Sequence, residues 1–565
     1  MSSPDIKYHL KLQRFKSIFY PAIVFLDKTR LLPLCIPIIN TSLKTLGIKK
    51  QYQKDLNYRL IGKASKNYFK RDDFKSEKIM LVPFFKSADN MFLLWSFAIA
   101  KKLESYGYTS RFIICDKSLP ICSNQRVLKR TQDDKFLCYN CYNGYRYIES
   151  VSGVNFIRLS DYVETREINL KNEEIDRMSS IEECRKSTYN GYQIGELNYS
   201  SVLRFFQTGE MKAEKKYFDI YKKYLKAAVF FIDGWTNYLA ENNIKPDLLL
   251  ILNGVLSSDS LVVEYSKRNS IKYVTHENFY GSNSWMYKVN GDIMTLFWEK
   301  EWSSFSKKKF TEEEKERATE FMTGFKNGEK HYIKFNYDHP MDSRLEKNKF
   351  VVLFTNLNFD TAVIGRNPVF DSMYAWIEKV IDFWIQNNIK TKLVIRVHPA
   401  EAKTMSVADD RANKRILPLI KGQDNIIFYD AADKVDSYKL IQSMKFSLIY
   451  ASTIGLEVAI LKKICLVAGN AHYRNQNFAL FYENENDYFV GLSNLLKEEK
   501  VDNLFYNDAL KYAYFLFNIR IKKINGLHTD HLNKVNNFDF KDLDDLISKN
   551  ETVLNDFIDE LNTYD

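Results

Sequence analysis

In two separate tracts of this chain, short apolar runs alternate with amphipathic stretches, and that alternation admits few folds besides a parallel α/β sheet. In the first tract, residues 79–85 read as a buried strand, 90–106 as an apolar helix stopped at Gly107, and 111–115 as the next strand. Strand, helix and strand in so short a span make a parallel crossover. The pattern resumes at 247–252, an apolar run that ends at Asn253-Gly254. A helix over 260–268 follows, then a strand over 271–275 that ends at His276-Glu277. In the second tract, 350–355 and 392–397 read as strands flanking a helix over 370–386. Strands over 425–429, 446–450 and 464–468 continue it, with helices over 437–444 and 454–461 between them. Polar residues stand where strands end, which is where doubly wound sheets bind their ligands.

A chain of 565 residues is too long for one ordinary core. The expected organisation is a basic N-terminal extension (1–76), a Rossmann-like domain with a cysteine-bearing insertion (77–330), a linker (331–348), a second Rossmann-like domain (349–490) and C-terminal helices (491–565). The linker falls in 306–348, which is charged and has no long apolar run.

Charge is unevenly placed. Residues 1–76 hold sixteen Lys or Arg against five Asp, which accounts for the whole net charge of +11 and leaves the rest neutral. A uniformly basic nucleic-acid binder is thereby excluded, and no zinc-finger or aromatic–basic RNA-binding pattern is present. The basic head carries two apolar runs, 18–26 and 31–39, both shorter than the roughly 18–20 residues a bilayer requires. The alternatives are docking on an anionic membrane face and a solvated extension packed on the body. No cleavable secretion signal is legible, so a cytoplasmic protein is expected, with peripheral contact at the inner membrane face as a further expectation.

The most informative stretch is Arg396-Val-His398-Pro399-Ala-Glu401, directly after an apolar strand. There Arg396 and His398 are expected to point at the phosphates of a nucleotide. Pro399 fixes the turn and removes a backbone donor. The imidazole can hydrogen-bond a leaving phosphate, or stabilise its charge when protonated. Tyr450-Ala-Ser452-Thr453-Ile-Gly455-Leu-Glu457 lies at the next strand-to-helix junction but one. Ser452 and Thr453 suit the N-cap, with free amides as an anion site. Gly455 is expected to let a ligand approach the backbone, and Glu457 to meet ribose hydroxyls.

These residues carry a resemblance. Phe354-Thr-Asn356-Leu-Asn358-Phe359-Asp360, Ile395-Arg-Val-His398-Pro-Ala-Glu401, Ser452-Thr-Ile-Gly455-Leu-Glu457 and Ala468-Gly469-Asn-Ala-His472-Tyr473-Arg474 resemble bacterial capsule and surface-polysaccharide biosynthesis proteins, the group that includes Kps-type Kdo transferases. Asn253-Gly254 and Thr275-His276-Glu277 look like the matching signposts of the first domain. The resemblance implies a GT-B glycosyltransferase, two Rossmann-type doubly wound parallel-sheet domains facing a cleft. The donor would be held mainly by the second domain and the acceptor by the first. It also implies that His398 and Ser452-Thr453 hold donor phosphate. The chain departs from the better-known Kdo transferases in lacking a Gln-Pro companion motif and in having Phe359 before the aspartate. CMP-Kdo, CMP-linked nonulosonates and UDP-hexoses all remain open as donors, and a glycan or lipid-linked glycan is the acceptor.

An acceptor hydroxyl needs a base. Glu277 and His276 come first and Asp360 second, each with structural hydrogen bonding as the alternative. His472, Tyr473 and Arg474 follow a strand and are candidates for donor contact, against a role in packing the domain interface. The acidic pairs of the chain lack a strand-end setting, so a metal-independent mechanism with no cofactor is expected. Four of the seven cysteines, Cys115, Cys122, Cys138 and Cys141, have partly zinc-like spacing. Reduced thiols are the preferred reading and a structural zinc the alternative. Phosphopolyol transfer, sugar-nucleotide epimerisation and a non-catalytic scaffold are the competing functions.

Overall fold

The computed structural model describes residues 49–69, 77–86, 90–124, 135–281, 283–326, 340–361, 363–404, 410–499, 502–529 and 535–564, with Ile38 and Thr41. The two apolar runs of the basic head, apart from Ile38, the first half of the linker (331–339) and residues 405–409 lie outside the described residues. The chain divides into two compact units. The first comprises 1–202, 213–292 and 523–565; the second comprises 203–212 and 293–522.

The first unit is built on β1 (Lys78–Phe84), β2 (Tyr108–Ile114), β3 (Ile157–Arg158), β4 (Leu248–Leu252), β5 (Lys272–Glu277) and β6 (Ser284–Val289). With the short strand Lys522–Lys523 at the far edge, the order runs from that strand through β6-β5-β4-β1-β2-β3. Strands β1 to β5 pair in parallel, and β6 runs antiparallel to β5. The chain moves outward from β1 on one side and resumes beside it with β4, so the sheet reverses direction between β1 and β4. That is the topological switch of a doubly wound fold.

Helix α1 (Lys49–Ala64) precedes the sheet, and α2 (Met91–Glu104) makes the first crossover. Helix α2 begins where the Asn90 side chain accepts a 2.9 Å bond from Phe92 N. It ends before Gly107, whose φ of 80° favours a residue without Cβ. It is apolar almost all round because it lies inside the unit; Trp95 meets Trp285 of β6 with ring centroids 5.3 Å apart. Two departures from the expected boundaries have one cause, apolar faces that the same core covers. Part of the basic extension is core, since Tyr58, Ile61 and Ala64 of α1 are buried. The C-terminal helix Glu551–Asn562 returns to this unit, burying Leu554, Phe557, Ile558 and Leu561, with Phe557 5.4 Å from Trp285.

The second unit holds β7 (Phe350–Phe354), β8 (Lys392–Arg396), β9 (Ile426–Tyr429), β10 (Ser447–Ile449), β11 (Cys465–Val467) and β12 (Leu480–Phe481). The order is β12-β11-β10-β7-β8-β9 and every pairing is parallel. The switch here falls between β7 and β10. Helix α3 (Met373–Gln386) starts at Ser372, whose hydroxyl accepts from Ala375 N at 3.1 Å. Its apolar stripe of Trp376, Ile377, Val380, Ile381 and Trp384 closes the core. The expected α/β class with two Rossmann-type parallel sheets is thus what each unit has. Among the described residues no helix is long and apolar enough to cross a membrane.

Candidate functional site

At the C-terminal edge of the second sheet, two adjacent residues of one loop hold the turns on either side. Thr355 Oγ1 accepts from His398 N at 2.9 Å, tying the end of β7 to the turn after β8. Asn356 Oδ1 accepts from Ala451 N at 3.1 Å, tying the same loop to the turn after β10. The turns that carry His398 and Ser452, at the ends of the two strands beside β7, are therefore both tied to the loop after β7, at the switch point. The His398 imidazole is half-buried, and its Nδ1 accepts from Ala400 N at 3.1 Å. That bond fixes the neutral tautomer with the proton on Nε2. Pro399 continues the turn, closed by a 2.9 Å bond from Glu401 N to His398 O. Asp360 is half-buried in the β7–α3 loop, where its carbonyl accepts from Val363 N and Ile364 N.

Four expectations at this edge change. Arg396 does not face solvent: it is 2% exposed, and its Nη1 donates to Asp430 O at 2.7 Å. Helix α4 (Ile454–Ile460) has Thr453 as its cap without a side-chain cap bond, while Ser452 Oγ, as expected of a capping residue, accepts from Ile454 N at 3.4 Å. Its first amides are not free, because Gly455 N bonds Ser452 O at 3.2 Å and Leu456 N bonds Thr453 O at 2.9 Å. The space over Gly455 is filled from within the chain: a Cβ there would lie 2.0 Å from Tyr473 Oη, which donates to Ser452 O at 2.5 Å. Glu457 is buried and accepts from Tyr438 Oη, so its carboxyl is committed inside the unit. Burial pushes it up to about 7 against the downward pull of Tyr438.

His472 is buried as well. Its Nδ1 pairs with Tyr512 Oη at 3.1 Å, Tyr512 Oη donates to His472 O at 2.9 Å, and burial lowers the imidazole to about 3. Arg474 is half-buried between the rings of Phe297 and Phe481, at 5.3 and 5.1 Å, and burial lowers its guanidinium.

Asp410 belongs to one of the acidic pairs without a strand-end setting, and its role is not legible in the sequence. Its Oδ2 accepts from Thr208 Oγ1 at 2.7 Å, Gly209 N at 3.2 Å and Asn358 Nδ2 at 2.8 Å. The buried carboxylate thereby fastens segment 203–212 to the loop after β7. Arg415 adds a 2.9 Å bond to Glu210. No local pattern signals this, because the partners are about two hundred residues apart.

At the C-terminal edge of the first sheet, Glu277 is half-buried and held from both sides. Its Oε2 accepts from Asn253 Nδ2 at 3.2 Å and its Oε1 from Asn278 N at 3.1 Å. Asn253 reaches it from a left-handed backbone, φ 74°. His276 points the other way, as alternation along a strand requires. It is 1% exposed, its Nδ1 accepts from Trp285 Nε1 at 3.2 Å, and Phe92 lies edge-on at 5.2 Å. Burial drives its imidazole down to about 3. The expectation that His276 serves as a base therefore gives way to a structural role. Lys86, just past β1, pairs with buried Asp259 at 3.1 Å, a second feature the sequence did not reveal.

The zinc alternative also gives way. Among the described residues, Cys115, Cys122, Cys138 and Cys141 included, no group of three or more His, Cys, Asp or Glu is arranged to hold a metal. Cys141 Sγ instead turns to Lys86 O at 3.6 Å, while burial and the neighbouring Cys122 and Cys141 push the Cys115 thiol up.

Residues 267–480 match the family model described as capsule polysaccharide biosynthesis protein. No curated protein matches significantly. Among solved structures, the chain is similar to two from Thermosulfurimonas dismutans KpsC, a beta Kdo 2,4 transferase and a beta Kdo 2,7 transferase. Each is 12% identical; the matches cover 54% and 56% of this chain and 87% and 88% of theirs, with TM-scores of 0.34 and 0.32. A UDP-GlcNAc 2-epimerase from Neisseria meningitidis, bound to UDP-GlcNAc, is 10% identical over 78% of this chain and 98% of its own, with a TM-score of 0.22. Across residues 267–480, then, the chain matches the capsule polysaccharide biosynthesis family, the one its strand-end motifs resemble.

Proposed function

We propose that this protein is a glycosyltransferase that moves a sugar from a nucleotide donor, CMP-Kdo or another CMP-nonulosonate or a UDP-sugar, onto a growing capsule, lipopolysaccharide or other surface glycan. The observation that carries this reading is the double anchorage at β7, where Thr355 and Asn356 hold the turns bearing His398 and Ser452 at the switch of a doubly wound sheet. The family match over 267–480 supports it.

In this reading, His398 donates Nε2–H to an oxygen of the donor phosphate, with Nδ1 already occupied by Ala400 N. The hydroxyls of Ser452 and Thr453 add donors beside it. These groups stabilise charge as the bond between anomeric carbon and phosphate breaks. Protein donors carry that task, so the reading is metal-independent and needs no cofactor. Glu277, steadied by Asn253 and Asn278 N, takes the proton of the acceptor hydroxyl. The basic head would bring the enzyme to the anionic inner face of the cytoplasmic membrane, where a lipid-linked glycan is presented.

The test is a thermal-shift screen of the whole chain against CMP, UDP, GDP and CDP. A ligand that binds only the folded state raises the melting temperature by mass action. CMP or UDP is expected to raise it, and no response to any of the four overturns the reading.

A further inference from the structure

Arg474 lies in the loop between β11 and β12, with its guanidinium between the rings of Phe297 and Phe481 at 5.3 and 5.1 Å. The rings hold the plane of the fork without using its N–H donors. Its Nε is buried and has no hydrogen-bond partner, and among the described residues no group accepts from its terminal nitrogens. Glu299 and Glu483 favour its charge at a distance, but neither forms an ion pair with it, and burial works against the charge. A cation drawn out of water without an acceptor costs stability. Packing between two rings explains where the side chain lies and leaves its hydrogen-bonding groups without a use.

The loop is fastened to the ligand edge of the second sheet. Gly469 N bonds Tyr450 O at 2.8 Å, and Tyr473 Oη donates to Ser452 O at 2.5 Å. The residue before Arg474 therefore holds the turn that carries Ser452. Phe481 ends β12, which pairs in parallel with β11, so the guanidinium sits at the C-terminal edge, on the side of β10 away from β7. Neighbouring strands are about 4.8 Å apart, which puts the ends of β10 and β12 about 10 Å from each other. A phosphate at Ser452 thus leaves Arg474 for a group further along the same ligand. Two more buried polar atoms of this loop, Asn470 Oδ1 and His472 Nε2, have no described partner. The loop carries more polar groups than its own packing satisfies.

We propose that Arg474 binds a second anionic group of the donor, beyond the phosphate at His398 and Ser452, and so determines which donors are held tightly. This rests on the glycosyl-transfer reading and names the ligand chemistry of its donor site. A guanidinium presents parallel N–H donors that match two oxygens of a carboxylate or a phosphate. In a CMP-linked acidic sugar that group is the carboxylate; in a UDP-sugar it is the phosphate next to the sugar. A neutral hydroxyl would leave the half-buried charge uncompensated. The two rings fix the side chain before a ligand arrives, so little rotamer freedom is lost on binding.

The test is isothermal titration of UMP, UDP, CMP and CMP-Kdo into wild type, Arg474→Met and Arg474→Lys. Wild type is expected to bind UDP over UMP, or CMP-Kdo over CMP, at least about tenfold more tightly, as a charge-assisted hydrogen bond entails. The arm that shows the gain identifies the second anion as phosphate or carboxylate. Arg474→Met keeps an unbranched apolar stem between the rings. It is expected to bring that ratio to about one, with monophosphate affinity within about twofold of wild type. Arg474→Lys keeps the charge without the fork, and its ratio is expected to fall between the two. Thermal melts establish that each variant is folded, and Arg474→Lys alone decides if Arg474→Met is not. An unchanged ratio, or monophosphate binding weakened as much as binding of the two-anion ligand, overturns the inference. So does a wild type that binds the monophosphates and gains nothing from either second anion. A wild type that binds none of the four ligands overturns the glycosyl-transfer reading itself, and the inference with it.

Discussion

Thr355 Oγ1 accepts a 2.9 Å hydrogen bond from the backbone nitrogen of His398, so the end of one strand sets the geometry of the turn beyond its neighbour. The imidazole is consequently positioned twice, by this bond at its own amide and by Ala400 N at Nδ1. Removing one such bond costs about 1 kcal/mol. Thr355→Val is therefore expected to weaken nucleotide binding about fivefold while shifting the melting temperature only slightly. Titration calorimetry paired with thermal melts checks both halves of this expectation.

Gly455 is required by packing. An added Cβ would meet Tyr473 Oη at 2.0 Å and Cζ at 2.8 Å. Gly455→Ala should destabilise the protein by about 1–3 kcal/mol, as overpacking does. Part of that loss should disappear in Gly455→Ala/Tyr473→Phe, which removes the nearest atom. Denaturant titrations of both single variants and the double close the cycle.

Glu457 ties stability to pH. Burial raises its folded value to about 7 from an ordinary 4.5. Between those values the folded carboxyl keeps its proton while the unfolded one releases it. Stability therefore falls as pH rises from about 4.5 to 7 and is flat above, a cost of roughly 3 kcal/mol at pH 8. Glu457→Gln should be more stable than wild type at pH 8 and equal to it at pH 4.5, as read from melting curves across that range.

The neighbours His276 and Glu277 should separate cleanly. His276→Leu leaves Trp285 Nε1 without its acceptor and should cost about 1–3 kcal/mol of stability, with transfer per folded molecule unchanged. Glu277→Gln should do the reverse, keeping the melting temperature and lowering turnover by about 10²–10⁴. Turnover normalised to folded protein distinguishes them.

The strands were legible because burial on both faces imposes unbroken apolar runs, and both switch-point edges followed from the polar residues that end them. What stayed hidden depends on distant partners. A glycine looks the same whether it makes room for a ligand or for Tyr473. Arg396 ends a strand as a phosphate ligand would, but the carbonyl of Asp430, at the end of β9, claims it. Neither Lys86 nor Asp259 stands in a recognisable motif, since their pairing exists only once β1 and β4 lie side by side. The amphipathic C-terminal helix announced an apolar face without saying that the first core would cover it.

The most direct measurement is isothermal titration of CMP and UDP into wild type and His398→Ala. The expected result is saturable binding of one nucleotide to wild type, weakened about tenfold or more in His398→Ala, as loss of a phosphate hydrogen bond entails. Equal affinity of the two proteins for that nucleotide would contradict the assignment of His398 to the donor phosphate.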